Sequence, residues 1–205
     1  MRRSQNVLTI LLAAAFVLVA WGGLAWFSYN LHVQNGGYLY DFFPRYYGTR
    51  EWFFDGFNPY HVWVELQIQQ RMNFEFWQPH RHNFLYPATI SFILLPFWLL
   101  PWELSISLWM GGTLLAVLVM PLMFFLRLGW RVPPLLLIAV TFFSVFIFRH
   151  SMHVYLFGQF FAFIILCLLI AWWAMENHRP GIAALALIGA TVRPDGAILA
   201  GAVLF

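Results

Sequence analysis

The sequence runs to 205 residues, 62% hydrophobic and only 9% charged. Soluble domains average about 25% charged, so there is too little polar surface here to enclose a core in water, and a lipid-facing surface is implied. The net charge of +3 comes from arginines alone; they are scattered, form no basic stripe, and so exclude a nucleic-acid binder. Cys167, the single cysteine, lies in an apolar run and can support no disulfide framework.

In chain order, Met1-Arg2-Arg3 leads directly into the apolar run Val7 to Phe27. A span needs roughly 20 apolar residues to cross about 30 Å of hydrocarbon. The run is longer than the core of a cleaved signal, and Gly22-Gly23-Leu24-Ala25-Trp26 is a poor cleavage site. Residues 1–28 therefore read as an uncleaved signal anchor with a cytoplasmic N-terminus.

Residues 29–83 are too long and too polar for a turn. They hold Asp41, Glu51, Asp55, Glu65 and Glu75, five of the eight acids. They are also dense in Phe, Trp and Tyr, which disordered segments lack, so the segment should fold as an outer loop on the membrane surface. Apolar and aromatic residues recur at helical spacing from Phe43 to Phe54. Pro44 suits a first turn, and Gly56 and Pro59 stop the helix. His61 to Phe76 predicts a second surface helix, after which residues 78–83 lead back to the membrane.

Further apolar runs follow at Leu104–Leu126, Val132–Phe148 and Val154–Met175, with a shorter Gly/Ala-rich one at Pro180–Val192. Backbone in lipid has no water to bond, so these should be helices. Phe84–Trp102 is apolar but holds Pro87, Pro96 and Pro101. The expected fold is all-α: one membrane domain, a polytopic transmembrane helical bundle with an outer loop of short amphipathic surface helices after the first span. Ala197–Phe205 is too short to span, so the sequence reads as the first part of a longer chain.

Arginines bear on the topology. If every run crosses, Arg2, Arg3, Arg149 and Arg193 lie inside and Arg127, Arg131 and Arg179 outside. If Phe84–Trp102 dips in and returns, Arg2, Arg3, Arg127, Arg131 and Arg179 lie inside, and only Arg149 and Arg193 outside. The positive-inside rule favours the second arrangement, and three prolines suit a re-entrant element buried in protein.

An outer loop of acids, aromatics and arginines above a helical bundle fits catalysis on a lipid-borne substrate. A carboxylate would act as base on an acceptor hydroxyl, and arginine, with its bidentate fork, would hold a phosphate leaving group. Simpler roles stand beside this. Asp41 could merely begin a helix, while Glu51 and Asp55 read as solvated loop charges. His80 and His82 supply two ligands where metal sites need three or four, so no metal is assigned. Arg149, His150 and His153, at the end of an apolar run, could snorkel to the interface. Gln159 and Arg193 are costly near membrane depth and point to function, although Asp195 could pair with Arg193. Gly56, Asn58 and Pro59 are most simply a turn.

The stretch from Asp41 through Tyr46, Tyr47, Gly56, Asn58, Pro59 and Tyr60 resembles the first outer loop of polyprenol-phosphate-sugar-dependent glycosyltransferases with the C-type membrane fold. Glycosyltransferase family 87 is the nearest in pattern. Tyr86-Pro87 stands where that family has Tyr-Pro-Pro, with Ala88 in place of the second proline. Leu94-Leu95-Pro96, Leu100-Pro101, Gly158-Gln159 and Arg193-Pro194 (Lys-Pro in the family) follow in order. The resemblance implies the N-terminal half of an inverting hexosyltransferase of the plasma membrane, inactive or nearly so on its own, with its active site on the outer face. It would move mannose or another hexose from a polyprenyl phosphate donor to a glycolipid or glycan acceptor, without a cofactor. Asp41 is then the catalytic carboxylate, and Arg45, Tyr46, Tyr47, Arg81, Tyr86, His153, Gln159 and Arg193 contact substrates. Two rivals from other classes are half of a transporter or flippase, which the proline-rich run and Arg193-Pro194-Asp195 would suit, and a non-catalytic membrane scaffold.

Overall fold

A computed structural model describes residues 2–34, 41–72, 84 and 90–192. Every regular element among them is helical. The first helix, α1 (Arg2–Ser28), is prolonged by a π-helical turn, Tyr29–Val33. Two surface helices follow, α2 (Phe43–Asp55) and α3 (Val62–Arg71), then the single turns α4 (Ile90–Ile93) and α5 (Leu95–Trp98). The remainder comprises α6 (Trp102–Arg127), α7 (Pro134–Phe142) with a π turn at Phe143–Ile147, α8 (Arg149–Leu156), α9 (Phe161–Glu176) and α10 (Pro180–Ala190).

Among the described residues two helical stretches, Leu11–Leu31 and Trp102–Arg127, are long and apolar enough to cross a membrane. A third candidate is α7 with its π turn plus α8, bent by 58°. These elements are compatible with a membrane protein. Along α1 the apolar side chains of Leu11, Leu12, Phe16, Leu18 and Val19 are exposed, which suits contact with lipid.

The surface helices form as their sequences dictate. Pro44 lies in the first turn of α2, and Gly56 closes the helix in the left-handed region at φ 72°. The turn read at Asn58-Pro59 is present: the His61 amide donates to the Asn58 carbonyl at 2.9 Å, and the Tyr60 amide to Asn58 Oδ1 at 3.0 Å. His61 then caps α3, its Nδ1 accepting from the Trp63 amide. α3 ends at Arg71, short of the Phe76 expected.

The later runs are broken more often than their apolar composition predicts. Val154–Met175 is not one helix. α8 ends in a Schellman turn, in which the Gly158 amide donates to Tyr155 O at 3.2 Å and the Gln159 amide to Val154 O at 2.9 Å. Gly158 takes φ 63°, a conformation glycine enters without a Cβ penalty. Arg149, His150 and His153 belong to α8, the short second limb of the bent candidate span.

Helices α1 and α6 run antiparallel in close contact. Trp21 Nε1 donates to the Leu108 carbonyl at 2.7 Å. A Cβ on Gly111 would fall 2.5 Å from the Ala25 nitrogen, so this crossing needs glycine. Described residues of the Phe84–Trp102 segment pack on α2. Phe84 packs where a Gly48 Cβ would stand, Ser91 bonds Thr49 at 3.1 Å, and Trp102 meets Phe43 and Tyr46 edge-on.

Candidate functional site

The outer loop meets the bundle at Asp41. Its amide donates to the Phe157 carbonyl at 3.2 Å, which docks the loop onto the turn between α8 and α9. That turn is itself held from below, since Trp109 Nε1 donates to the Gly158 carbonyl at 2.9 Å in a buried bond. The Tyr155 and Ser28 hydroxyls share a buried hydrogen bond at 3.0 Å, tying α8 to the end of α1. Asp41 thus sits where α1, α6, α8 and α9 converge.

Asp41 does not cap α2. The N-cap position is Phe42, without a side-chain cap bond, and the Phe42 ring stacks on Trp109 at 5.2 Å. The Asp41 carboxylate is 36% exposed and lies 3.8 Å from the Arg45 guanidinium, whose side chain is only 6% exposed. Arg45 in turn lies over the Phe160 ring at 5.3 Å. A buried cation under a half-exposed carboxylate orients the acid while leaving its outer side open to solvent.

Gln159 is half-buried in the same turn. His153 is exposed one turn earlier, its ring edge-on to Phe157. Both lie within a few residues of Phe157, the residue on which the Asp41 amide docks. His150 instead lines a cavity of about 260 Å³ with Val117, Met120 and Pro121, beside the middle of α6. Arg81, Tyr86 and Arg193, with His80, His82 and Asp195, lie outside the described residues.

Tyr46 and Tyr47 occupy the other side of α2. At 100° per residue, Phe43, Tyr46, Tyr47, Arg50, Glu51 and Phe54 share one face and Arg45 points away from it. With Asp55, Arg71, Trp102 and Glu103 they line a polar groove of about 650 Å³. Tyr46 donates to the Leu100 carbonyl at 2.7 Å, and Arg50 donates to the Trp98 carbonyl at 2.8 Å. Arg71 lies over the Tyr47 ring at 4.7 Å. Burial, together with neighbouring Glu51 and against the pull of Arg71, pushes the Tyr47 phenol above the ordinary 10.0. Burial likewise raises Tyr46, so both phenols keep their protons at neutral pH.

Two residues escaped the sequence reading. Glu51 is 8% exposed, so it is a groove carboxylate and not a solvated loop charge. Its signal was the spacing from Tyr47, one helical turn back on the same face. Glu103, at the start of α6, is the second. An acid at the mouth of an apolar run, next to a tryptophan, is the mark it left in the sequence. Comparison with family models, with curated proteins and with solved structures returns no match.

Proposed function

We propose that the protein is a membrane glycosyltransferase, or the N-terminal part of one, moving mannose or another hexose from a polyprenyl phosphate to an acceptor outside the cytoplasm. The observation that carries this reading is the docking of Asp41, paired with Arg45, on Phe157 in the turn that also holds Gln159 and follows His153. Asp41 came from the outer-loop pattern, His153 and Gln159 from a region more than 100 residues later, and sequence spacing alone gave no reason for Asp41 to dock on the turn between them.

Asp41 takes the proton of an acceptor hydroxyl as that oxygen bonds to the anomeric carbon. The bond from that carbon to the phosphate breaks, and the phosphate leaves with its electron pair from the opposite face, which inverts the carbon. Arg45 holds the carboxylate in place. His153 and Gln159, on the rim of the turn, are positioned to contact the donor, and cations near a departing phosphate stabilise its charge.

The test is transfer of radiolabelled hexose in membranes containing the protein. Label from polyprenyl phosphate should reach an acceptor in a crude lipid and glycan extract, while nucleotide-linked sugar gives none. Movement of intact donor between leaflets without transfer would instead favour a transporter.

A further inference from the structure

Glu103 lines two cavities. One is the polar groove of α2, α3 and α6. The other is a furrow of about 460 Å³ between α1 and α6, lined by Gly22, Ala25, Trp26, Tyr29, Leu104 and Leu108, with Ser107. The furrow is predominantly apolar and lies along the two helices most suited to cross lipid. The groove beyond Glu103 is polar. A track that is apolar along a span and polar at its end fits an amphiphile, tail first.

The charges of the groove choose the head. Glu51, Asp55 and Glu103 face Arg50 and Arg71, an excess of one carboxylate. Arg50 already serves the Trp98 carbonyl and Tyr46, and Arg71 lies on Tyr47. A phosphate would meet more carboxylate than available guanidinium. A neutral sugar brings hydroxyl donors, which carboxylates accept, and hydroxyl acceptors, which the remaining guanidinium N–H groups can reach. The volume of the groove also lies in the range of small-molecule sites, roughly 300–1,000 Å³.

We propose that the furrow and the groove together hold one lipid-linked neutral saccharide, its chain between α1 and α6 and its sugar beyond Glu103. This rests on the glycosyltransferase reading and deepens it, since it gives a lipid-linked saccharide a holding site on the face of α2 away from Arg45, apart from the place beside Asp41 where a hydroxyl would react.

The experiment needs no donor. The whole protein is placed in phosphatidylcholine nanodiscs with a trace of alkyl glucoside carrying a diazirine in its chain, photolysed, and mapped by mass spectrometry. Label should concentrate in residues 22–29 and 104–108. Excess unlabelled alkyl glucoside should reduce it about tenfold, and alkyl phosphate of equal chain length less than about twofold. Leu104→Trp, a change at an exposed side chain that fills the furrow, should cut the label about tenfold. Leu126→Trp, equally lipid-facing at the other end of α6, should leave it unchanged. Label spread evenly over both helices, label that does not saturate, or equal displacement by alkyl phosphate overturns the proposal. Saturable label in a protein that transfers no sugar keeps the site and removes the enzyme. Transfer without saturable label does the reverse.

Discussion

At the scale of single residues, the sequence marked positions well where side-chain chemistry and local spacing coincide. Asp41 stood out because an acid precedes a run of aromatics, and Gly56-Phe57-Asn58-Pro59 because those types make turns. What could not be read was partnership. Glu51 looked solvated because loop acids usually are, yet it is buried on the groove beside Tyr47. Arg45 looked available for substrate, yet it lies under Asp41 against Phe160. Such pairings depend on which distant segment covers a helix face, and no local pattern encodes that. One residue carries strain that can be tested. His178 is at φ 52°, closing α9 with its amide bonded to the Met175 carbonyl and the next amide to Ala174. A residue with a Cβ pays about 1–2 kcal/mol in that region, and glycine does not. His178→Gly should raise the melting temperature in detergent by roughly 2–4 °C; a fall would mean that the imidazole makes a contact worth more than the strain.

At the scale of elements, existence was legible and continuity was not. The runs that became α1 and α6 were found whole, and α6 continues through Pro121. Phe84–Trp102 gave its interruptions away through proline, and only the turns α4 and α5 form in its described part. The break at Gly158 was hidden. Gln159 follows it, but the rest of the run on both sides is apolar, and an isolated glycine in such a run is normally tolerated. The docking of Asp41 on Phe157 depends on that break, so the fold near the site was the least readable part. The α1–α6 crossing gives a sharper test. Gly111→Ala drives a methyl into the Ala25 backbone, where flexible side chains cannot yield, and overpacking of this kind costs about 1–3 kcal/mol. Gly22→Ala meets nothing within 4 Å and should cost nothing. Thermal unfolding of the two variants should separate them; equal stability would show that the helices cross at a greater distance.

At the scale of the whole molecule, the two ends of the bundle differ in charge. α6 begins against Tyr46 and α9 begins beside Arg45. Both helices end at the ion pair of Arg127 with Glu176, roughly 39 Å along α6 from its start. Arg131 and Arg179 flank that far end, and the antiparallel α1 starts there too. The positive-inside rule predicts that this end is cytoplasmic, with Asp41 at the outer end. Fusions at Gly129 and His178 to a reporter active only after export should therefore be silent. Activity at either would reverse the orientation.

The central claim, that Asp41 accepts the proton of the attacking hydroxyl, is tested most directly by Asp41→Asn in the native, full-length protein. Asparagine preserves the size of the side chain but cannot take the proton. Sugar transfer from polyprenyl phosphate should fall by about 10²–10⁴-fold, with photolabelling of the α1–α6 furrow unchanged. Transfer at the wild-type rate by the asparagine variant would contradict the account.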